Sequence, residues 1–237
     1  MQTIDTTVTE VIYRTPCIVS VRVAMPADGA FEAGQFLGVT LFRDGAEVSR
    51  YLSFSNSPTE TDYFEFTKRL TQSDFSAALA GLKPGDPVRI KYPMGRFILD
   101  PHAAKHVFLA GGIGITPMRS MWKYAFDRKL AAQMVLIYGN RCAEDIIFRD
   151  ELEAMAAQQP GCKVVLALDG REPCPDGWQG RQGYIDAAMV REEVPDHARC
   201  VFYICGPTAM VKAVVDMLKN ELKVPDANIR RESISGY

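Results

Sequence analysis

Two glycine-bearing turns, each fed by an apolar run and followed by a helix-forming stretch, offer the first chemistry in this chain. HVFLA (106–110) runs into GGIGITP (111–117). Gly112 and Gly114 would let the backbone approach a pyrophosphate closely, Thr116 is a helix-capping type, and Pro117 suits a first helical position. Exposed amides and the helix dipole would then hold the anion. Turns of this kind also serve only to join elements. The pattern is G-x-G-x-x-P, and the next apolar run, MVLIYGN (134–140), ends without an acid for a ribose, so the site lies outside the Rossmann lineage. YICGPTAM (203–210) repeats the arrangement, with Cys205 expected at a strand's carboxyl end, where parallel sheets present ligands. A strand cysteine is equally familiar as small core filler.

A second group of polar residues sits earlier. In SRYLSFSNS (49–57), alternation places Arg50, Leu52 and Phe54 on one face and Tyr51, Ser53 and Ser55 on the other. An arginine beside serines suits phosphate capture, because the guanidinium binds oxyanions in a bidentate way. A surface arginine on an ordinary strand fits the same letters. FTKRLTQSDFSAAL (66–79) puts Ser76 at the start of a short helix, where free amides would take a second phosphate or an N-cap would stand alone. The six cysteines form no C-x-x-C pair and lack the four-cysteine grouping of a [2Fe–2S] module. His102 and His106 are spaced i, i+4 directly before a strand, and no metal site is expected.

These residues need elements to hold them. Residues 1 to about 100 read as short strands at 18–23, 36–42, 51–55, 63–70 and 87–93, with one helix at 74–81, as in a small antiparallel barrel or sandwich. After about residue 101 the period changes. Strands at 106–111, 134–140, 163–170 and 200–207 alternate with helices at 117–129, 144–158 and 208–222, which predicts a doubly wound parallel sheet. Two domains follow, 1–101 and 102–237. With 47% apolar residues the chain can bury a core, and a net charge of −2 gives no bulk attraction to nucleic acid. No run approaches the ~20 apolar residues of a membrane span, so a cytoplasmic protein is expected.

In sequence order, these segments resemble the ferredoxin–NADP reductase superfamily almost end to end. Arg50-Tyr51-Leu52-Ser53 is similar to the family's R-x-Y-S/T flavin motif. Thr67-Lys68-Arg69 and Ser73-Asp74-Phe75-Ser76 are similar to its K/R-containing strand and its G-x-x-S segment. LKPGDPVRIKYPMGRFIL (82–99) resembles L-x-x-G-D-x-V…G-P-x-G-x-F. GGIGITP, YGNRCAEDIIF (138–148), the W-x-G-x-x-G from Trp178 to Gly183, and CGPTAM (205–210) match in order.

The resemblance implies a flavin-binding antiparallel β-barrel followed by an NAD(P)-binding α/β domain. It implies an NAD(P)H-dependent flavoprotein reductase that holds FAD, rather than FMN, and feeds a separate carrier such as ferredoxin, flavodoxin or an oxygenase component. By position, Arg50 would bind the flavin pyrophosphate with Tyr51, Leu52, Thr67, Lys68, Ser73, Phe75 and Ser76 around it, and Ser53 would bond flavin N5. Gly112, Gly114, Ile115, Thr116 and Pro117 would hold the dinucleotide, with Asn140 and Arg141 on its adenosine side. Cys205, flanked by Gly206, Pro207 and Met210, would sit beside the nicotinamide C4. Glu232 would assist proton or electron movement. Tyr237 would shield the flavin, as terminal tyrosines do in plant-type members, or belong to a loose tail. Leu52 departs from the family's tyrosine and Ser73 from its glycine. Asp169 would repel a 2′-phosphate and accept from a 2′-hydroxyl, which favours NADH, whereas Arg141 and Arg171 would favour NADPH. Two rivals remain: a reductase using free flavin as substrate, and a non-catalytic nucleotide-binding subunit.

Overall fold

Thr, Val and Ile at alternating positions make the opening segment one long strand, β1 (Gln2–Thr15), in the computed structural model. The structure describes residues 1–171 and 173–234. Five more strands follow in the first unit: β2 (Ile18–Ala24), β3 (Phe36–Arg43), β4 (Ala46–Ser53), β5 (Tyr63–Arg69) and β6 (Pro87–Met94), with helix α1 (Asp74–Ala80) before the last. They pair antiparallel in the order β4-β3-β6-β1-β2-β5. β1 serves both halves of the sheet, because Gln2–Thr7 pairs with β6 and Val8–Thr15 with β2. Register shifts at Val8/Glu10 and Tyr13/Thr15 bend it. The two outermost strands of the order approach each other at the Phe54–Phe66 bridge, so the sheet curls into a barrel. Period-two burial fills it: Leu37, Val39 and Leu41 of β3 are wholly buried while their neighbours are not. Phe31 stacks on Phe54 at 3.9 Å in that core. The unit runs from Met1 to Leu99 and includes Arg119–Tyr124.

The second unit takes Asp100–Met118 and the chain from Ala125 on. Its strands are β7 (Lys105–Gly111), β8 (Gln133–Asn140), β9 (Lys163–Leu168), β10 (Arg181–Gln182), β11 (Val201–Pro207) and β12 (Ile229–Ile234). All pair parallel, in the order β10-β9-β8-β7-β11-β12. Helices α2 (Ile115–Asp127), α3 (Arg149–Ala157), α4 (Ala187–Glu193) and α5 (Thr208–Asn220) connect them. From β7 the chain steps outward through β8, β9 and β10, then returns to place β11 on the other side of β7. That reversal makes the β7/β11 pair the switch point where open α/β sheets bind ligands.

Several expectations are corrected. The strand expected at 51–55 ends at Ser53 and begins at Ala46. The helix expected over 144–158 is broken: a 3-10 turn spans Ala143–Asp145, and Phe148, at φ 60°, turns the chain before α3 starts at Arg149. β1, β10, β12 and α4 were not anticipated. Each is short, or carries one polar face that hides the apolar period. No helix among the described residues is long and apolar enough to cross a membrane.

Candidate functional site

In the barrel, Arg50 of β4 and Lys68 of β5 come from the two strands that meet at the seam. Alternation puts Arg50 between Val48 and Leu52, which both pack on the barrel core, yet its own side chain is exposed. Its Nη1 donates to the Ser49 carbonyl at 2.9 Å. Burial and the neighbouring charge of Arg50 push the Lys68 ammonium below its ordinary value. Two neighbouring like charges of this kind suit a doubly charged anion. Ser53 ends β4 partly exposed, opposite Phe36. Tyr51 stands 69% exposed with its ring edge-on to Phe36 at 5.8 Å.

Other expected ligands in this unit are spent internally. Thr67 Oγ1 donates to Ser55 Oγ at 2.8 Å and lies 2.7 Å from Ser20 Oγ. Phe75 is buried in the core. The helix cap is Ser73 and not Ser76: the Ser73 side chain accepts the Ser76 N–H at 3.2 Å. Ser76 sits inside the first turn, its hydroxyl 3.1 Å from those of Thr71 and Ser73.

In the second unit, both glycine turns leave the carboxyl ends of the adjacent strands β7 and β11. Gly112 takes φ 51°, and a side chain on Gly114 would lie 2.2 Å from the Cys205 carbonyl oxygen, so the turns pack backbone to backbone. A 3-10 turn, Gly112–Gly114, precedes α2, which already begins at Ile115. Thr116 is therefore inside the first turn instead of capping it. Its hydroxyl donates to the Ile113 carbonyl at 3.1 Å. Ile115, Thr116 and Pro117 are buried, while Met210 and Pro207 are partly so beside Gly206.

β12 places Glu232 in register with Cys205 of β11. The Glu232 Oε2 is shielded from solvent and has no hydrogen-bond partner among the described residues. Burial lifts this carboxyl to about 7. Cys205 is completely buried; that burial, reinforced by the Glu232 charge, pushes its thiol well above the ordinary value. The pair is thus a neutral thiol beside a carboxyl that holds a proton near neutrality, which suits proton handling more than thiolate chemistry.

At the end of β8, Asn140 is 6% exposed, and both polar atoms of its amide lack partners among the described residues. A buried amide with unused donors and an unused acceptor fits a polar ligand crossing the strand ends. Arg141, next to it, is exposed. Beyond β9, Asp169 accepts the Arg171 N–H at 3.0 Å, and its Oδ2 lies 3.4 Å from Arg171 Nε. Arg171 Nε also donates to the Tyr184 hydroxyl at 3.0 Å. Tyr184 was not foreseen. It is 61% exposed, and Gly183 before it donates to the Leu168 carbonyl at 2.7 Å, which fixes it at the strands' carboxyl edge. The signal that could have found it is an aromatic directly after the W-x-G-x-x-G segment. Tyr237 lies outside the described residues.

Residues 9–98 match the oxidoreductase FAD-binding domain, and residues 108–216 match the oxidoreductase NAD-binding domain. The chain is 36% identical over 217 residues to ferredoxin–NADP reductase B of Sorangium cellulosum, spanning 87% of each protein. It is 33% identical over 193 residues to the glycine betaine monooxygenase reductase subunit of Chromohalobacter salexigens, spanning 80% of this chain and 52% of that one. It thus spans about half the length of that relative. The crystal structure of Amycolatopsis cytochrome P450 reductase is similar over 99% of this chain and 71% of that one, with a TM-score of 0.84 and 28% identity.

Proposed function

The chain belongs to the ferredoxin–NADP reductase superfamily, and from that premise we propose that it is an NAD(P)H-dependent FAD reductase that hands electrons to a separate carrier protein. Ferredoxin, flavodoxin and an oxygenase component are the acceptors that fit. Bound FAD supplies the hydride acceptor and the capacity to release electrons singly. The observation that carries the reading is the switch point in the second unit, where two glycine turns, a neutral thiol and a protonatable carboxyl gather on adjacent strands.

Each residue has a task in this scheme. Arg50 and Lys68 hold the flavin pyrophosphate, and the Ser53 hydroxyl bonds the N5 edge of the flavin. Leu52 covers a flavin face. Gly112 and Gly114 let the dinucleotide pyrophosphate reach the amides at the start of α2. Asn140 and Asp169 bond the adenosine ribose, and Tyr184, its hydroxyl anchored by Arg171, offers a planar platform for the adenine. Cys205 packs beside the nicotinamide, and Glu232 stores a proton next to it. Asp169 already engages Arg171, so a 2′-phosphate would meet a carboxylate and an arginine whose charge is answered. NADH is therefore the preferred donor.

The test is an anaerobic titration of the purified protein with NADH and with NADPH, following the visible flavin band. Yellow protein bleached by about one equivalent of NADH, with NADPH at least tenfold weaker, is the expected result. Colourless protein that oxidises NADH only with added flavin would favour flavin as a substrate, a reading that the aliphatic Leu52 cover supports. Binding without bleaching would make the chain a nucleotide-binding subunit. Arg50→Ala is expected to weaken FAD retention by tenfold or more, since it removes a charge-assisted phosphate contact; full retention would remove Arg50 from the site.

A further inference from the structure

β4 ends at Ser53, and the two residues beyond it, Phe54 and Ser55, are wholly buried. Every polar group of Ser55 is engaged. Its N–H donates to the Glu65 carbonyl at 2.8 Å. Its hydroxyl donates to Glu65 Oε1 at 2.8 Å and accepts from Thr67 Oγ1 at 2.8 Å. Its carbonyl accepts from Arg119 Nη1 at 3.0 Å. Glu65 is itself 1% exposed. Its second oxygen, Oε2, accepts from Arg22 at 2.8 Å and Arg14 at 3.2 Å, and its N–H donates to Asn56 Oδ1 at 2.9 Å. Arg14 Nε closes the ring by donating to Ser20 Oγ at 2.9 Å, which meets Thr67 at 2.7 Å.

A carboxylate buried this way has a strongly preferred orientation, because another rotamer would give up its bonds from Arg22 and Arg14 and take the acceptor of the Ser55 hydroxyl away. Such a network is a weak source of net stability, since apolar residues of similar volume hold a barrel wall as well. What it does impose is geometry. Beyond Ser53, Phe54 is held by its N–H to the Gln35 carbonyl at 3.1 Å, and the first side chain fixed by hydrogen bonds is Ser55, two positions after Ser53.

We propose that Glu65 is a positioning residue for Ser53: by locking Ser55 it sets the direction in which the Ser53 hydroxyl leaves the end of β4. The inference rests on the reading of Ser53 as the partner of the flavin N5 edge. It concerns how this barrel keeps that hydroxyl aimed while the strand around it ends.

A double-mutant cycle on the flavin-loaded protein tests it. Ser55→Ala and Glu65→Gln are made alone and in a Ser53→Ala background, reading single-turnover flavin reduction by NADH, the visible flavin band and the melting temperature. Ser55→Ala is expected to slow reduction about tenfold and to move the flavin band, with the NADH concentration dependence unchanged. In the Ser53→Ala background the same substitution is expected to cost no further rate, because its effect passes through Ser53. Equal slowing in both backgrounds, or a lowered melting temperature with rate and band unchanged, would overturn the proposal. If Ser53→Ala reduces its flavin at the parental rate, the Ser53 reading itself falls and takes the inference with it. Ser55→Ala carries the test should Glu65→Gln not fold, as it leaves the buried carboxylate paired with both arginines.

Discussion

The carboxyl of Glu232 is the residue on which the pH behaviour of the site turns. Burial raises it to about 7, above its ordinary value of 4.5. The folded protein therefore binds a proton more readily than the unfolded chain between about pH 4.5 and 7. That contribution to stability is fully present below the unfolded value and is lost as pH rises through 7. Glu232→Gln, neutral at every pH, is expected to melt above the parent at pH 8 and to match it near pH 4.5. The rate of flavin reduction should show an inflection near pH 7 in the parent and lose it in the variant. An inflection that survives in Glu232→Gln would assign the titration to another group. Cys205 was readable in the sequence as a residue of interest because the Gly-Pro turn beside it is conspicuous. The role of Glu232 came only through the family resemblance, and its pairing with Cys205 was not read from the sequence, since the strand that brings them into register, IRRESI, alternates around two arginines and a serine. Tyr184 was missed because a single aromatic in a polar segment has no period, and only the fold reveals that it stands at the edge of the strands.

At the level of elements, what the sequence gives up easily is whatever is buried on both faces. β7, β8 and β11 are nearly continuous apolar runs, and each was placed to within a residue or so of its observed bounds. The boundaries of α2 and α1 were less accessible because capping depends on which backbone groups remain unpaired. Thr116 and Ser76 have the right chemistry for caps, yet the 3-10 turn at Gly112–Gly114 and the Ser73 side chain had already done that work. The helix expected from residue 144 failed for a different reason: its composition is helical, but Phe148 adopts a left-handed φ that composition does not encode. The junction between the β7 turn and the β11 turn gives an expected outcome of its own. An added methyl at Gly114 would lie 2.2 Å from the Cys205 oxygen and 2.5 Å from its carbonyl carbon, both backbone atoms that cannot swing aside. Gly114→Ala is thus expected to cost about 1–3 kcal/mol in urea unfolding by forcing the two turns apart. It should also weaken dinucleotide binding. A variant with unchanged stability and affinity would show that the turns have room that the geometry denies.

Across the whole chain, stability against acid sums groups of opposite sign, with His106 and Glu232 opposing each other and the lowered carboxylates deciding the net fall. Glu60 is held low although burial raises it, because hydrogen bonding and charge from Arg119, the Ser57 N–H and the Tyr63 hydroxyl outweigh that cost. Asp196 is held low chiefly by its bond to Lys105, and Asp100 by the His102 N–H. All three stabilise above the ordinary carboxylate range and cease to do so as pH falls through their lowered folded values. His106 acts earlier on the descent. It is wholly buried on β7, stacked at 6.1 Å on Phe108 and 5.7 Å from the Tyr203 ring, with neither ring nitrogen hydrogen-bonded among the described residues. Burial lowers it to about 4, a shift that Asp100 opposes and Arg230 assists. Between about pH 6.5 and 4 the unfolded chain takes up this proton while the folded protein resists it, so stability is lost as the solution is acidified. Glu232 runs the other way, from 4.5 to about 7 against 6.5 to about 4, so the two largely offset each other between about pH 6.5 and 4.5, and the net decline follows as the carboxylates join. His106→Phe keeps an aromatic ring in the same box and deletes the titration. Urea unfolding of the two proteins at pH 8 and pH 5 isolates the effect, because any packing difference is common to both conditions. The variant's advantage is expected to be larger at pH 5 than at pH 8, with its acid transition moved to lower pH. An equal difference at the two pH values would mean that His106 finds a proton partner when the protein is folded, and that the acid limit is set by the carboxylates alone.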